Sequence, residues 1–249
     1  MIILKSPEEI EKMRKSCAIV AEILADVKQM VKPGIATIEL DRRSEELARK
    51  KGATPAFKGY RGYPFSLCTS INSEVVHGMP SAQVLKEGDV VSLDFGILYD
   101  GFYGDAAVTI PVGHVSRAAE KLMSVTEKSL YLAIEQAKVG NRLGDVSAEV
   151  QNHVEAAGFS IVRDYVGHGI GKALHEDPQI PNFGTRGKGI ALKAGMVLAI
   201  EPMVNEGAYE VRMLADGWTV VTADGRLSAH FEHSVAVTED GPIILSMFN

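Results

Sequence analysis

The sequence is poor in cysteine and has no cluster of positive charge. Its only two cysteines, Cys17 and Cys68, lie far apart and form no CxxC pair. Disulfide frameworks and thiolate zinc sites are therefore not expected, and the composition suits a reducing compartment. No run of lysine or arginine stands out and the formal net charge is −6. Binding of nucleic acid through its phosphates is therefore not expected.

Long apolar segments are also missing. No run approaches the roughly 20 residues that cross a bilayer, and the opening residues MIILK lack the apolar core and cleavage site of a signal peptide. No linker rich in proline, glycine or serine divides the 249 residues. We therefore expect a cytoplasmic protein without membrane association, in which residues 1–249 work as a single catalytic domain.

Hydrophobic spacing predicts four helices. The first begins after Ser6, where a capping hydroxyl precedes a proline and two acids. The others are expected over about residues 37–51, 116–138 and 143–157. Strand-like segments follow each helical pair, so the order of elements occurs twice.

The repetition is also visible in the letters. LKEGDVVSLD at residues 85–94 matches LKAGMVLAIE at residues 192–201, and both segments end on an acid. A division near residue 112 gives two related halves, about 1–112 and 113–249. Two copies are too few for a solenoid. They indicate a pseudo-two-fold α+β fold in which helices cover a mostly antiparallel sheet.

Residues 90–110 predict a hairpin that carries two acids. Two β-rich runs flank Asp100-Gly101, which is typical of a two-residue type I′ turn. In that register Asp105 faces Gly96 and lies one diagonal step from Asp94 on the same face, unless a bulge shifts the pairing. Such acids are costly to bury without a cation. The alternative is that one or both face solvent.

Two further acids lie in apolar strands. Glu201 occupies the position in the second half that Asp94 occupies in the first, and Glu232 lies in the segment 229–237. Four acids with one imidazole and no thiolate favour Mn, Co, Fe or Zn in a hydrolytic site. Four acids are too many for one ion, so we expect two ions roughly 3.5–4 Å apart, with two acids bridging them.

The imidazole is that of His168, in the segment YVGHGIG. Its neighbouring glycines allow close approach to the ring. A turn histidine or a phosphate-binding loop are the alternatives, the latter weakened by the lack of a following helix. His230 and His233 are left out of the site, because on one strand they would point to opposite faces.

Together these motifs resemble one family. The strongest stretches are NSEVVHG at 72–78, the hairpin from Asp94 to Asp105, residues 167–178, IEP at 200–202 and FEH at 231–233. In this order and spacing the sequence resembles type I methionine aminopeptidases over nearly its whole length. The resemblance implies the pita-bread fold, a curved antiparallel sheet enclosed by two helix pairs, and the removal of initiator methionine.

The resemblance also implies a role for each ligand. Asp94 would hold one metal ion, His168 and Glu201 the other, and Asp105 and Glu232 would bridge the two. A hydroxide between the ions would attack the carbonyl of the first peptide bond. The substrates would be nascent polypeptides that begin with methionine and a small residue. The enzyme would act as a monomer, in the neighbourhood of the ribosome.

Three side chains would complete the chemistry. Glu201 resembles the acid that carries the proton from water to the departing amine. His175 would stabilise the oxyanion, and His77 would contact the backbone beyond the cut. The resemblance further implies a methionine pocket, for which simple core packing is the alternative at each position. Its members would be Tyr60, Tyr63, Cys68, Leu174 and Trp218, with Phe57 at the rim. His77 and His175 would also bind the substrate.

Two of these positions depart from familiar bacterial members. Phe57 stands where a cysteine is common, and Leu174 where an aromatic residue is common. The width of the pocket and its tolerance for other residues therefore stay open, as does the physiological metal. Rival interpretations are a prolidase or X-Pro aminopeptidase of the same fold, a non-catalytic relative, and a dinuclear phosphoesterase. The last would need cations for a phosphate, and Lys172 and Arg163 are unconvincing for that.

Overall fold

The structure, a computed structural model, describes residues 2–247. Within that range the chain forms four α-helices: α1 (Pro7–Met30), α2 (Thr37–Lys50), α3 (Arg117–Gln136) and α4 (Leu143–Ala156). The four predicted helices are therefore confirmed. None of the helices in the described range combines the length and apolar character that a membrane span requires.

The helix ends follow from local chemistry. At the start of α1 the Ser6 hydroxyl accepts from the Glu9 N–H at 3.2 Å, and the Glu9 carboxylate accepts from the Ser6 N–H at 3.1 Å. This reciprocal cap satisfies two N–H groups that a helix start leaves free. Gly52, after α2, and Gly158, after α4, have φ values of 72° and 85°. Glycine adopts this left-handed conformation without a Cβ penalty, which ends both helices.

Short strands form the rest of the regular structure. In chain order they are β1 (Thr54–Pro55), β2 (Leu67–Ile71), β3 (Glu74–Val76), β4 (Val90–Tyr99), β5 (Phe102–Pro111), β6 (Ser160–Ile161), β7 (Gly167–Gly169), β8 (Glu176–Ile180), β9 (Val197–Ile200), β10 (Met203–Asn205), β11 (Val211–Met213), β12 (Val220–Thr222), β13 (Ser228–His230), β14 (Glu232–Thr238) and β15 (Gly241–Ile244). A 3₁₀ turn at Tyr60–Gly62 lies between β1 and β2.

The strands form one large sheet and two small ones, all paired antiparallel. The large sheet has the order β1-β4-β5-β14-β9-β7-β8, with β2 also on β4 and β15 also on β14. The small sheets are β13-β10-β6 and β11-β12-β3. Helix α1 packs on β4 and β5 and against α2, while α3 packs against α4, β13 and β14. The predicted α+β class, with helix pairs on an antiparallel sheet, is confirmed.

Two segments expected to be single strands are interrupted, which corrects the sequence analysis. The first breaks after β9 at Glu201 and Pro202, and the second breaks at Phe231 between β13 and β14. Pro202 has no N–H to donate to a neighbouring strand. Its carbonyl oxygen accepts from the Phe231 N–H at 3.4 Å. The first segment thus passes from the large sheet to a small one, and the second passes from that small sheet back to the large one at the same place. Glu201 and Glu232 lie beside these breaks.

A buried ion pair joins the start of the chain to β8. Lys5 Nζ donates to Glu176 Oε2 at 2.6 Å, and the two side chains are only 3% and 7% exposed. The neighbouring Gly171 leaves room for this pair, since a Cβ there would lie 2.5 Å from Glu176 Oε1. The contact fixes the segment that carries His175.

Candidate active site

The β4–β5 hairpin carries the first two acids in the predicted register. Gly96 pairs with Asp105 and Asp94 pairs with Ala107, without a bulge. Asp105 and Asp94 are therefore diagonal neighbours on one face of the sheet. Gly96 is needed between them, since a Cβ there would lie 3.1 Å from Asp105 Oδ1 and 2.9 Å from the Phe57 ring.

The other two acids come from the second half of the chain. Glu232 opens β14 and pairs directly with Ala107 of β5. Glu201 follows β9, whose Ile200 pairs with His233 of β14. The pairing of β5 with β14 thus brings together acids that lie far apart in the sequence.

His168 is held between two glycines in β7. Its Nδ1 lies 2.9 Å from the Gly169 carbonyl oxygen, and a carbonyl can only accept, so Nδ1 carries the proton and Nε2 keeps a free lone pair. Burial lowers the pKa of His168 to about 3, which keeps the ring neutral, as a metal ligand requires. A Cβ at Gly167 or Gly169 would lie 2.4 or 2.2 Å from backbone oxygens of neighbouring strands.

These side chains converge, and several of their oxygens have no partner. One ligand atom from each of Asp105, His168 and Glu232 lies within 4.8 Å of the other two. His168 Nε2 also lies 3.5 Å from Glu201 Oε1. Asp94 Oδ1, Asp105 Oδ1 and Glu232 Oε1 are shielded from solvent and accept no hydrogen bond. Buried carboxylate oxygens rarely lack a hydrogen-bond partner, and coordination of a divalent cation would stabilise them.

Burial raises the pKa of all four carboxyl groups. The pKa of Asp94 rises to about 7, and those of Asp105, Glu201 and Glu232 rise well above their ordinary values. Loss of solvent is the largest cause for each, and the charges of neighbouring acids add to it for Asp105 and Glu232. Divalent cations reverse this effect, because they bind and stabilise the ionised form. The donor set, rich in oxygen with one imidazole and no thiolate, fits such ions.

Two further histidines face the same cavity. His175 lies with its ring centroid 4.3 Å from that of His168, and its Nδ1 is 2.8 Å from the Tyr60 hydroxyl. His77 packs edge-on against Tyr165, at 5.7 Å between centroids. Its φ of 60° is unusual for a residue other than glycine, and such strain is common at functional sites. Burial lowers the pKa of His77 to about 4, so this ring is neutral at pH 7.

All the residues expected at the site line this one cavity, which has a volume of about 290 Å³. Its aromatic wall includes Tyr63, whose ring meets that of Trp218 edge-on at 5.2 Å. Cys68 pairs with Asp94 across β2 and β4, and Leu174 is 2% exposed. The remaining predicted members, Phe57 and Tyr60, also border the cavity, together with Arg61, Val76, Tyr165, Val166 and Met203.

His230 was left out by the sequence analysis, yet it lies against the site. Its Nε2 is 3.6 Å from Glu201 Oε2 and has no hydrogen-bond partner. His233, in contrast, faces away, toward the Ser246 hydroxyl at 3.0 Å and Tyr131. The spacing offers a signal for His230, because residues two apart share a face in an uninterrupted strand. The structure breaks the strand at Phe231, yet His230 still lies against the site.

Comparison with known proteins agrees with this geometry. The model of metallopeptidase family M24 matches residues 11–239. A methionine aminopeptidase of Clostridium perfringens is 58% identical over 247 residues, with 99% of each chain covered. The crystal structure of the methionine aminopeptidase of Thermotoga maritima superimposes with a TM-score of 0.97 at 51% identity, over 99% of both chains.

A more distant likeness concerns the fold alone. The prolidase of Pyrococcus horikoshii superimposes with a TM-score of 0.81 at 23% identity, over the whole of this chain and 65% of the prolidase. The pita-bread fold expected from the sequence is thereby confirmed. The chain belongs to metallopeptidase family M24 and, within it, to the methionine aminopeptidases.

Proposed function

We propose that the protein uses divalent metal ions to remove methionine from the N-terminus of peptides and newly made proteins. The observation that carries the proposal is the meeting of four carboxylates and one imidazole in a cavity that also has an aromatic wall. The relative from Clostridium perfringens, which bears the name methionine aminopeptidase, supports the choice of substrate.

Two metal ions account for the number of acids. Asp94 would hold one ion, His168 and Glu201 the other, and Asp105 and Glu232 would contact both. The unpartnered oxygens of Asp94, Asp105 and Glu232 support this assignment. Bound divalent ions would supply a water whose pKa is lowered from about 15.7 to near 7, and would polarise the scissile carbonyl. Mn, Co, Fe and Zn are all compatible with these ligands.

The chain's own residues move and hold protons. Glu201 is nearly enclosed and its pKa is raised, which suits a carboxyl group that takes a proton from water and delivers it to the departing amine. If the Tyr60 hydroxyl donates to His175 Nδ1, the Nε2 of that ring carries a proton that can be donated to the oxyanion. His77, neutral at pH 7, would orient the substrate backbone beyond the cleaved bond.

The methionine side chain would lie in the aromatic part of the cavity. Tyr63, Trp218, Cys68 and Leu174 provide apolar contact, while Phe57 packs beside Gly96 and limits the width. Discrimination by an apolar pocket is modest, about 1–3 kcal/mol per methylene. We therefore expect methionine to be preferred strongly over alanine and less strongly over leucine.

We also propose that residues 1–249 act as one catalytic domain made of two related halves, about 1–112 and 113–249. The site supports this, since Asp94 and Asp105 come from the first half and the other ligands from the second. A cytoplasmic monomer that acts close to the ribosome would meet nascent chains as they emerge. Its net charge of −6 and the lack of a prominent Lys/Arg run speak against direct binding of nucleic acid.

The test uses metal-stripped protein and two tetrapeptides, Met-Gly-Met-Met and Gly-Pro-Met-Met. Mn, Co, Fe or Zn is added back, and free amino acid is measured. We expect metal-dependent release of methionine from the first peptide alone. Cleavage before proline in the second would favour the prolidase interpretation. No cleavage of either peptide, with metal binding shown by elemental analysis, would refute the aminopeptidase.

A further inference from the structure

The carboxylate of Glu201 lies between two imidazoles. His168 Nε2 is 3.5 Å from Oε1, and His230 Nε2 is 3.6 Å from Oε2. His230 is only 1% exposed, and its Nε2 has neither solvent nor a hydrogen-bond partner. A buried ring nitrogen without a partner is costly. The nearby carboxylate oxygen is the acceptor it lacks, and a shift of about half an ångström would bring it within hydrogen-bond range.

The backbone of His230 is fixed by a side chain of the neighbouring strand. The Thr109 hydroxyl donates to the His230 carbonyl at 2.8 Å and accepts from the His230 N–H at 2.9 Å. The Ser92 hydroxyl lies 2.9 Å from Thr109 Oγ1. All three residues are buried. These hydroxyls replace the backbone ladder where the chain passes from β13 to β14, so the direction of the imidazole is set without any ligand.

The positions of the two imidazoles are not equivalent. His168 groups with Asp105 and Glu232 in the one cluster of at least three possible ligands found within the described residues, and His230 is not part of it. His168 also has its Nδ1 proton bound to a carbonyl, which frees Nε2 for a metal. Among the acids of the described residues, His230 comes within 4.0 Å of Glu201 alone, at its other oxygen, although the charge of Asp94 also acts on the ring. It is therefore suited to act on the carboxylate and not on an ion.

We propose that His230 is a positioning residue for Glu201, whose Oε2 accepts the Nε2–H of the neutral imidazole, so that Oε1 is turned toward His168 and the metal ions. The expected effect of His230 on turnover rests on the proposed function, whereas the expected effect on metal binding does not. Removal of a group that orients a metal ligand typically lowers metal affinity or activity about 10–100-fold. Substrate binding would be little affected, because His230 is not needed for the methionine pocket.

The test compares His230→Gln, which keeps an N–H donor of similar reach, with His230→Met, which keeps the volume but has no donor. The matched control is His233→Met, a buried histidine of the same region that faces away from the cavity. For each protein we would measure Mn²⁺ affinity by calorimetry, kcat and KM on Met-Gly-Met-Met, and the Tm of the metal-free form. If His230→Met does not fold, His230→Asn, whose amide is too short to reach Oε2, replaces it.

We expect His230→Met to weaken Mn²⁺ binding and to lower kcat about 10–100-fold each, with KM within about threefold. His230→Gln and His233→Met should stay within about threefold of the parent protein in affinity and kcat. Unchanged Mn²⁺ affinity and kcat in His230→Met would overturn the proposal, and so would a His230→Gln variant as impaired as His230→Met. If the parent protein cleaves no peptide, the proposed function fails, while the Mn²⁺ affinities still decide the role of His230.

Discussion

The carboxyl group of Asp105 has opposite effects on the metal-free and the metal-bound protein. Its side chain is 4% exposed and its Oδ1 accepts no hydrogen bond. Without a cation its charge lies close to the charges of Asp94 and Glu201, which, after desolvation, raise its pKa. With a cation the same charge becomes a ligand. A single residue thus makes the metal-free protein less stable and the metal site stronger.

Replacing this charge should therefore separate stability from activity. We expect Asp105→Asn to raise the Tm of the metal-free protein, since a neutral amide of nearly equal size requires neither a buried charge nor the uptake of a proton on folding. Metal-dependent release of methionine should fall by more than about 100-fold. Removal of a residue that only orients a metal ligand already lowers activity by up to about 100-fold, and Asp105 is a proposed ligand itself. Thermal unfolding in EDTA and the peptide assay check the two expectations.

Asp100→Asn is the matched control on the same hairpin. Asp100 lies at the turn with a φ of 48° and forms an exposed ion pair with Lys12. Asparagine tolerates this conformation, so neither Tm nor activity should change appreciably. A metal-free Asp105→Asn protein that unfolds at a lower temperature than the parent would contradict the argument.

Among the elements, β8 depends on a residue near the start of the chain. The Lys5–Glu176 pair is buried beside His175, and removal of one partner leaves the other charge without compensation. We expect Lys5→Met to lower the free energy of unfolding by about 3–5 kcal/mol. Release of the segment should also lower kcat. Urea denaturation and peptide cleavage measure the two effects.

Lys12→Met provides the comparison for an exposed pair. The Lys12 and Asp100 side chains are 47% and 54% exposed, so loss of their contact should cost less than about 1 kcal/mol. Equal losses of stability in Lys5→Met and Lys12→Met would show that the burial of the first pair has no energetic consequence.

How far the sequence predicts each element depends on whether the signal is local. The turn at Asp100-Gly101 determines the register of β4 and β5, so the relative position of Asp94 and Asp105 can be predicted from the sequence. The helices follow from caps and periodicity in the same way. The Tyr60–His175 contact does not, because it joins a 3₁₀ turn to the distant bend that precedes β8, and no local sequence pattern predicts this contact.

Breaks in strands are the other source of error. The run that contains His230 and Glu232 reads as one strand, although its two parts belong to different sheets. The interruption is caused by tertiary contacts, namely the Thr109 hydroxyl and the Pro202 carbonyl. Because of the break, His230 and His233 share neither a strand nor their surroundings, although the sequence places them in one run.

For the whole molecule, the charges of the site predict how stability depends on pH. In the folded chain the site histidines His77 and His168 are neutral, because burial lowers their pKa to about 4 and about 3. Above about pH 7.5 they are largely neutral in the unfolded chain as well, where a histidine has a pKa of about 6.5. The carboxyl groups differ. Asp94 has a pKa of about 7 when folded and about 3.9 when unfolded, so the folded metal-free protein holds more protons. Its stability must then fall as pH rises.

We expect the metal-free protein to lose stability between pH 7.5 and 8.5, by up to about 1.4 kcal/mol per pH unit for each additional proton held. Saturating Mn²⁺ should remove this loss, because the ions bind the deprotonated carboxylates. The rise in Tm on addition of Mn²⁺ should therefore be larger at about pH 8.5 than at about pH 7.5. Thermal scans with EDTA or Mn²⁺ at both pH values measure it, and a smaller rise at the higher pH would contradict the expectation.

The pairing of β5 with β14 also has a kinetic consequence. It joins Ala107 to Glu232, and contacts between such distant residues are costly to form, because a long loop must close first. The metal ligands would then assemble only after most of the chain has folded. Ions that bind a site formed after the folding barrier stabilise the native state without lowering that barrier. Metal ions should therefore slow unfolding many-fold while they leave the rate of refolding nearly unchanged.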